Sequence, residues 1–308
     1  MNEIDRRAHP AGMRLWHWAA PDGWRYRRAD WPQSAGQARG SLMFAGGRGD
    51  FIEKYLEAAG HWHDAGWNVS SFDWRGQGKS KGDIEGQDIA SFDPLLEDMA
   101  GLVADWMAAN PAPHVIVAHS LGGHMLLRLL IERPPAIAAA VLIAPMIDVN
   151  SAPLPPPLAR AMAGAITAAG FGKRGLWKAP LATAPAGSKR QQVLTSCVER
   201  YEDEAYWWEQ EPDFRPAAPT FGWLRAAYRS ARGFTPANLK RIELPILMLG
   251  AAGDRLVSGP AIRRTAAFLP NAELEMYEGC AHEILREADP TRLAALARID
   301  AFLDRRAT

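Results

Sequence analysis

The apolar positions of this chain change period several times. Residues 13–32 alternate aromatic and polar side chains on both sides of Asp22-Gly23, as in Arg14-Leu15-Trp16-His17-Trp18 and Trp24-Arg25-Tyr26-Arg27. A period of two around an Asp-Gly turn predicts an edge hairpin. Beyond it, short apolar runs alternate with segments of helical period. Strands are expected at 41–45, 67–72, 114–118, 139–144, 245–250 and 273–277, and helices at 51–65, 93–109, 122–132, 260–268 and 290–304. Such alternation predicts an α/β fold, a mostly parallel central sheet with helices on both faces. Ligands of these sheets sit at the carboxyl ends of the strands.

One interval breaks the rhythm. Between Pro145 and Leu244 no convincing strand occurs, and the interval opens with Pro153, Pro155, Pro156 and Pro157. That is too long for a plain connection. It reads as an inserted helical cap, dividing the chain into a core over 1–149, a cap over 150–240 and a second core part over 241–308.

Composition narrows the classes. A chain of 308 residues that is 48% apolar can bury a large core. Lys+Arg and Asp+Glu are equal at 35 each, so no overall field favours nucleic acid as a partner. The first ten residues, MNEIDRRAHP, lack the apolar centre of a signal peptide. No run reaches the roughly 18 apolar residues of a membrane span, and a soluble cytoplasmic protein is expected. Cys197 and Cys280 are read as two free thiols.

The chemistry is carried by Val115-Ile116-Val117-Ala118-His119-Ser120-Leu121-Gly122-Gly123. An apolar strand delivers a lone serine into a glycine pair and a helix-forming segment, which is the layout of a nucleophile elbow. A serine hydroxyl is a weak nucleophile, so it must stand on a sharp turn within reach of a base and of backbone N–H donors. The side chains two before and two after it are expected to point at each other across the turn, which accounts for Gly122 and the small Ala118. Ala118 departs by one methyl from the glycine of the usual G-x-S-x-G pattern.

A base and an orienting acid should follow, each after a late strand. Strand 245–250 runs into Gly253-Asp254, and strand 273–277 runs into Cys280-Ala281-His282. His282 is the only histidine after position 124. Asp148 is a rival acid because it too follows a strand, but the glycine-flanked loop of Asp254 suits a buried carboxylate better. The oxyanion donors are expected to be the N–H groups of Leu121 and of Arg48, the latter within the loop Gly46-Gly47-Arg48-Gly49. An imidazole base implies activity that falls below about pH 6.

Other motifs carry less. Asp73-Trp74-Arg75-Gly76-Gln77-Gly78-Lys79-Ser80 ends like a phosphate-binding loop but lacks its leading glycine. His61 and His63 lie two apart, on different helix faces, and make a poor metal pair. His119 and His124 flank the elbow as packing or hydrogen-bonded neighbours.

These residues resemble the α/β-hydrolase fold, and within it the bacterial lysophospholipase branch next to the monoacylglycerol lipases. Gly47-Arg48 with Glu53-Lys54-Tyr55, the 73–80 turn, the elbow, Ala144-Pro145-Met146, Gly253-Asp254 and Ala281-His282-Glu283 match in order. Leu194-Thr195-Ser196 with Arg200-Tyr201, and Ala218-Pro219-Thr220-Phe221-Gly222-Trp223, look like that branch's cap signature. The resemblance implies hydrolysis of single-chain lipid esters, with Ser120, Asp254 and His282 as the triad, and no cofactor. A short-chain carboxylesterase, peptidase or acyltransferase on the same fold, or a non-catalytic binding member, are the competing readings.

The cap is split by charge. Residues 151–190 carry Arg160, Lys173, Arg174, Lys178, Lys189 and Arg190 with no acid. Residues 191–214 carry Glu199, Glu202, Asp203, Glu204, Glu209, Glu211 and Asp213 against Arg200 alone. The basic half also holds Leu158, Met162, Ile166 and Phe171. Two readings follow: this half touches anionic lipid headgroups as a peripheral contact with the inner membrane, or the two halves pair with each other. Trp177, Trp207, Trp208 and Trp223 suit either an acyl tunnel or a small cap core.

Overall fold

The computed structural model describes residues 4–34, 38–82, 89–176 and 184–307. Its centre is one eight-stranded sheet. The expected hairpin forms the edge: β1 (Arg14–Ala19) pairs antiparallel with β2 (Arg25–Trp31). The strands β3 (Gly40–Ala45), β4 (Trp67–Phe72), β5 (His114–His119), β6 (Ala139–Ile143), β7 (Ile246–Ala251) and β8 (Ala272–Tyr277) are mutually parallel. The spatial order is β1-β2-β4-β3-β5-β6-β7-β8.

That order places the site. The chain leaves β3 toward β4 on one side and returns to β5 on the other, so the loops after β3 and β5 open a crevice where the winding reverses. Ala45 and Ala118 are register partners, which brings both loops off the sheet at one level. The central strands are buried on both faces, as their unbroken apolar runs require.

One face is covered by α1 (Leu56–Asp64) and α10 (Asp289–Arg306), whose Trp62, Leu296, Ile299 and Phe302 meet Val115, Val117 and Leu247. The other is covered by α2 (Asp93–Ala109), α3 (Leu121–Glu132) and α9 (Gly259–Phe268), through Leu95, Met99, Leu102, Met125, Leu126 and Ile262. The helix expected over 51–65 is divided: Ile52–Tyr55 is a 3-10 turn, and α1 begins only at Leu56. The Ile52 N–H is taken by Asp73 at 2.9 Å, and Asp50, Glu53 and Lys54 turn inward to buried ionic partners, so tertiary contacts govern that turn.

Between β6 and β7 the chain builds the cap from α4 (Pro156–Ile166), α5 (Lys189–Leu194), α6 (Val198–Gln210), α7 (Phe221–Ser230) and α8 (Pro236–Leu239). Helix α4 is inverted in size. Small Ala159 and Ala163 face inward onto Tyr228 of α7, while Leu158 and Met162 point outward, 48% and 42% exposed. Phe171 beyond it is 58% exposed. Trp207 and Trp208 are buried with Phe214 against Phe51 and Leu56 of the core, filling the seam between cap and core; Trp177 lies outside the described residues. Among the described residues, no helix is long and apolar enough to cross a membrane.

Candidate active site

Ser120 sits between β5 and α3 with φ 50° and ψ −110°, outside the regions a non-glycine residue favours. Three backbone hydrogen bonds hold it there. Its N–H donates to the Ile143 carbonyl at 3.0 Å, and its carbonyl accepts from His124 and Met146, each at 3.0 Å. Such over-determination is what lets a strained residue persist.

The glycines around it are explained by close backbone approach. A Cβ on Gly122 would run into the carbonyl oxygens of Ala45 and Gly46. The crowding at the position two after the serine therefore comes from the end of β3, not from Ala118. The methyl of Ala118 is absorbed in the apolar cluster on that face of the sheet. A Cβ on Gly47 would lie 3.0 Å from the Ser120 Cβ, so the β3 loop is packed directly against the nucleophile position.

The three far-separated residues expected as a triad meet here. His282 Nε2 is 2.9 Å from Ser120 Oγ, and His282 Nδ1 is 2.6 Å from Asp254 Oδ2. The other Asp254 oxygen accepts the N–H groups of Leu256 at 2.8 Å and Val257 at 3.0 Å. Burial acts to raise the pKa of Asp254, but His282 and these donors outweigh it and hold the carboxyl below its ordinary value. For His282 burial acts to lower the pKa, and Asp254, Glu283 and Asp50 more than reverse it. Asp148 does not join them. It pairs with Arg160 at 2.5 Å and accepts the Val149 N–H.

In the β3 loop, Gly47 N–H donates to Asp50 Oδ2 at 2.6 Å, and Gly49 N–H donates to the Gln77 side chain. Among the described residues, Arg48 N–H is the donor between them with no protein acceptor. Leu121 N–H is the first of α3, a position where a helix has no internal acceptor.

The 73–80 turn serves this loop. Trp74 Nε1 donates to the Gly46 carbonyl at 2.7 Å, Gln77 holds Gly49, and Asp73 accepts from Ile52 and from Arg27 Nε at 2.7 Å. Residues that looked like part of a phosphate loop are thus a buttress for the β3 loop.

Behind the site lies an ionic cluster that sequence reasoning missed. Lys54 Nζ is 2.8 Å from Asp50, 2.6 Å from Glu283 and 3.2 Å from Glu204, all buried. Arg190 holds the other Glu204 oxygen at 2.8 Å, and Arg286 pairs with Glu283. Burial acts to raise the pKa of Glu204, yet Lys54 and Arg190 outweigh it and bring it to about 2. Asp50 is likewise held well below the usual range, against its burial, by Lys54 and His119. His119 Nδ1 lies 3.1 Å from Asp50 and 3.0 Å from Tyr55 Oη, and its Nε2 is 3.4 Å from the His282 carbonyl. The only available signal was charge at positions that α/β packing buries, such as Lys54 beside Tyr55.

The other histidines singled out in the sequence are accounted for. His124 is buried between the Met146 carbonyl and Ser230 Oγ, and burial lowers its pKa to about 4. His61 pairs with Asp300, and His63 stacks on Trp31 at 4.0 Å. Cys197 and Cys280 are free and buried.

A family model described as "Serine aminopeptidase, S33" matches residues 36–289. The chain is 26% identical to "Probable lysophospholipase L2" of Haemophilus influenzae over 91% of this chain and 88% of that one. It is 28% identical to "Lysophospholipase L2" of Escherichia coli (strain K12) over 86% and 80%. Among solved structures, a soluble variant of monoglyceride lipase from Saccharomyces cerevisiae, in complex with a substrate analog, superposes with a TM-score of 0.76 at 15% identity, covering 99% of both chains. The Paleococcus ferrophilus monoacylglycerol lipase gives 0.68 at 19%, covering 90% and 98%. At these identities the structural matches speak for the fold, which is the α/β-hydrolase fold.

Removing one partner of a buried charge set leaves the others uncompensated. Lys54→Met is expected to destabilise the protein by about 3–5 kcal/mol at neutral pH, read from the urea midpoint. Asp50, Glu204 and Glu283 are depressed in the folded state, so their stabilisation is present above the unfolded values near about 4 and is lost as pH falls further. The deficit of the variant should therefore narrow toward acid. A deficit that is small or independent of pH would show that the cluster is not coupled as described.

Proposed function

The chain belongs to the serine aminopeptidase S33 family, and we propose that within it the chain is a serine hydrolase cleaving the carboxyl esters of single-chain lipids, a lysophospholipid or a monoacylglycerol. What carries the reading is the unbroken line of hydrogen bonds from Asp254 through His282 to Ser120. The named relatives, lysophospholipases and monoglyceride lipases, are carboxylic ester hydrolases and supply the substrate class.

Each step follows from position. Asp254 accepts the Nδ1 proton of His282, which leaves Nε2 bare and facing Ser120 Oγ. As Oγ bonds to the ester carbonyl carbon, its proton passes to Nε2, and the carbonyl oxygen takes the negative charge. The free N–H groups of Leu121 and Arg48 stabilise that oxyanion. His282 then protonates the leaving glycerol oxygen, the C–O bond breaks, and an acyl-serine remains. Water repeats the sequence with the same base, and the fatty acid departs.

The cap supplies the approach to lipid. Its acidic half faces bases of the core: Asp203 binds Arg6 and Arg7, Glu211 binds Lys79, and Asp213 binds Lys81. Among the described residues, Arg190 with Glu204 is the one ion pair between the two halves. Lys173 and Arg174 stay exposed beside Phe171, and Leu154, Leu158 and Met162 of the same half are exposed as well. Exposed apolar side chains with unpaired cations suit the surface of an anionic bilayer. Lys178 lies outside the described residues.

Three outcomes are expected. Ser120→Ala should keep the wild-type melting profile, lose fluorophosphonate labelling and lose at least about a thousandfold in turnover of lysophosphatidylglycerol and monoacylglycerol; an active, folded variant would remove the mechanism. Because the His282 pKa is raised above 6.5, the base is lost as pH falls through a value above 6.5, so the acid limb of kcat/KM should have its midpoint above neutral imidazole, higher than the pH of about 6 expected for an unperturbed base. For the cap, flotation with vesicles containing phosphatidylglycerol should recover the wild type but not a Leu158→Ser, Met162→Ser, Phe171→Ser, Lys173→Gln, Arg174→Gln variant, and equal recovery of both would end the membrane reading.

A further inference from the structure

Arg48 stands apart from the other arginines. Among the described residues, every buried or half-buried arginine has a carboxylate within ion-pair distance except this one: Arg6, Arg27, Arg28, Arg39, Arg75, Arg128, Arg190, Arg200, Arg286, Arg292 and Arg298 are all paired. Arg48 donates once, from Nη2 to the Ala217 carbonyl at 2.6 Å. Its Nε is buried with no partner. Of the five N–H donors a guanidinium carries, one is occupied. Burial without an opposing acid lowers its pKa to about 10, so it stays charged at neutral pH with no carboxylate beside it among the described residues.

Its location gives that charge a purpose. Arg48 follows Gly47, which packs against Ser120, and its guanidinium lies 5.2 Å from the Trp223 ring, at the seam between the β3 loop and the cap. The side chain spans roughly 6 Å from Cα to its terminal carbon on ordinary bond lengths. In a lysophospholipid the ester carbonyl and the phosphorus are separated by a glycerol backbone of similar span, roughly 5–7 Å on the same bond lengths. One residue can therefore meet both ends of the headgroup region: its backbone N–H at the carbonyl oxygen and its guanidinium at the phosphate. Paired N–H donors in a plane match phosphate oxygens two at a time. The carbonyl tie to the cap takes one donor and the Trp223 ring meets part of the charge, which leaves four N–H donors without an acceptor among the described residues.

We propose that the Arg48 guanidinium is an anion subsite of this active centre, binding the phosphodiester of a lysophospholipid headgroup and selecting it over the neutral headgroup of a monoacylglycerol. The assignment rests on the ester-hydrolase reading above for its turnover consequences, but not for the binding itself.

The test has two arms. In the first, Ser120→Ala protein is titrated calorimetrically with ether-linked lysophosphatidylglycerol, with 1-O-alkylglycerol of the same chain length, and with inorganic phosphate. The phospholipid is expected to bind at least about tenfold tighter than the alkylglycerol, as a charge-assisted contact implies. Adding Arg48→Gln should erase that preference, and Arg48→Lys should restore part of it. In the second, the ratio of kcat/KM for lysophosphatidylglycerol to that for monoacylglycerol should fall at least about tenfold in Arg48→Gln. Equal loss on both lipids would make Arg48 a tie of loop to cap and overturn the proposal. Phosphate binding as Arg48-dependent as the lipid's would make it a free-anion site, which also overturns it. Wild-type protein that cleaves neither ester would defeat the hydrolase reading, while the calorimetric arm would still decide the subsite.

Discussion

The Lys54 ammonium is the interaction on which the arrangement hangs. It binds Asp50 of the β3 loop, Glu204 of α6 and Glu283 next to His282, so one cation joins the β3 loop, the cap and the His282 segment. Buried ion pairs are weak sources of net stability, because desolvation takes back most of the Coulomb gain. Their use here is geometric. Three carboxylates can crowd the back of the site only around a shared positive charge, and each arrives on a different segment of chain. Asp50 passes the constraint on, since its other oxygen fixes Gly47 N–H, next to the Arg48 N–H that has no acceptor among the described residues.

The sheet and the meeting of Ser120, Asp254 and His282 were legible because each residue ends a continuous apolar run of strand length, and parallel strands deliver their ends to one edge. The split of 51–65 was not legible. Asp50, Glu53 and Lys54 have the look of a solvated helix face, and a helical period cannot tell an exposed charge from one whose partner lies 150 or more residues away, as Glu204 and Glu283 do. The same limit applies to the 73–80 turn. Its sequence shows glycines and a lysine, while its work is done by Trp74 and Gln77 on backbone atoms of another loop. Gly122 was rightly seen as a steric requirement, but the crowding comes from carbonyls of β3, a neighbour set by strand order.

The cap is two structures in one. The half containing α6 is tied to the core by charge, and its Trp207 and Trp208 pack against Phe51 and Leu56 of the core. The half containing α4 contacts its neighbours through alanines and carries its larger apolar side chains outward. A helix so oriented gains little from folding onto this protein alone. The charge asymmetry seen in the sequence therefore marks a division of labour between anchoring and display, with Arg190 reaching across it.

The backbone of the His282 segment is laced to that anchored half. His282 N–H donates to the Val193 carbonyl and Glu283 N–H to the Leu194 carbonyl, while Thr195 Oγ1 donates to the Arg286 carbonyl. Mechanically, the cap cannot swing as one rigid flap, since lifting α5 would pull the His282 imidazole away from Ser120. Any opening of the cap above Ser120 has therefore to come by yielding on the α4 and α7 side, with the α5 end acting as the fixed jamb of the doorway.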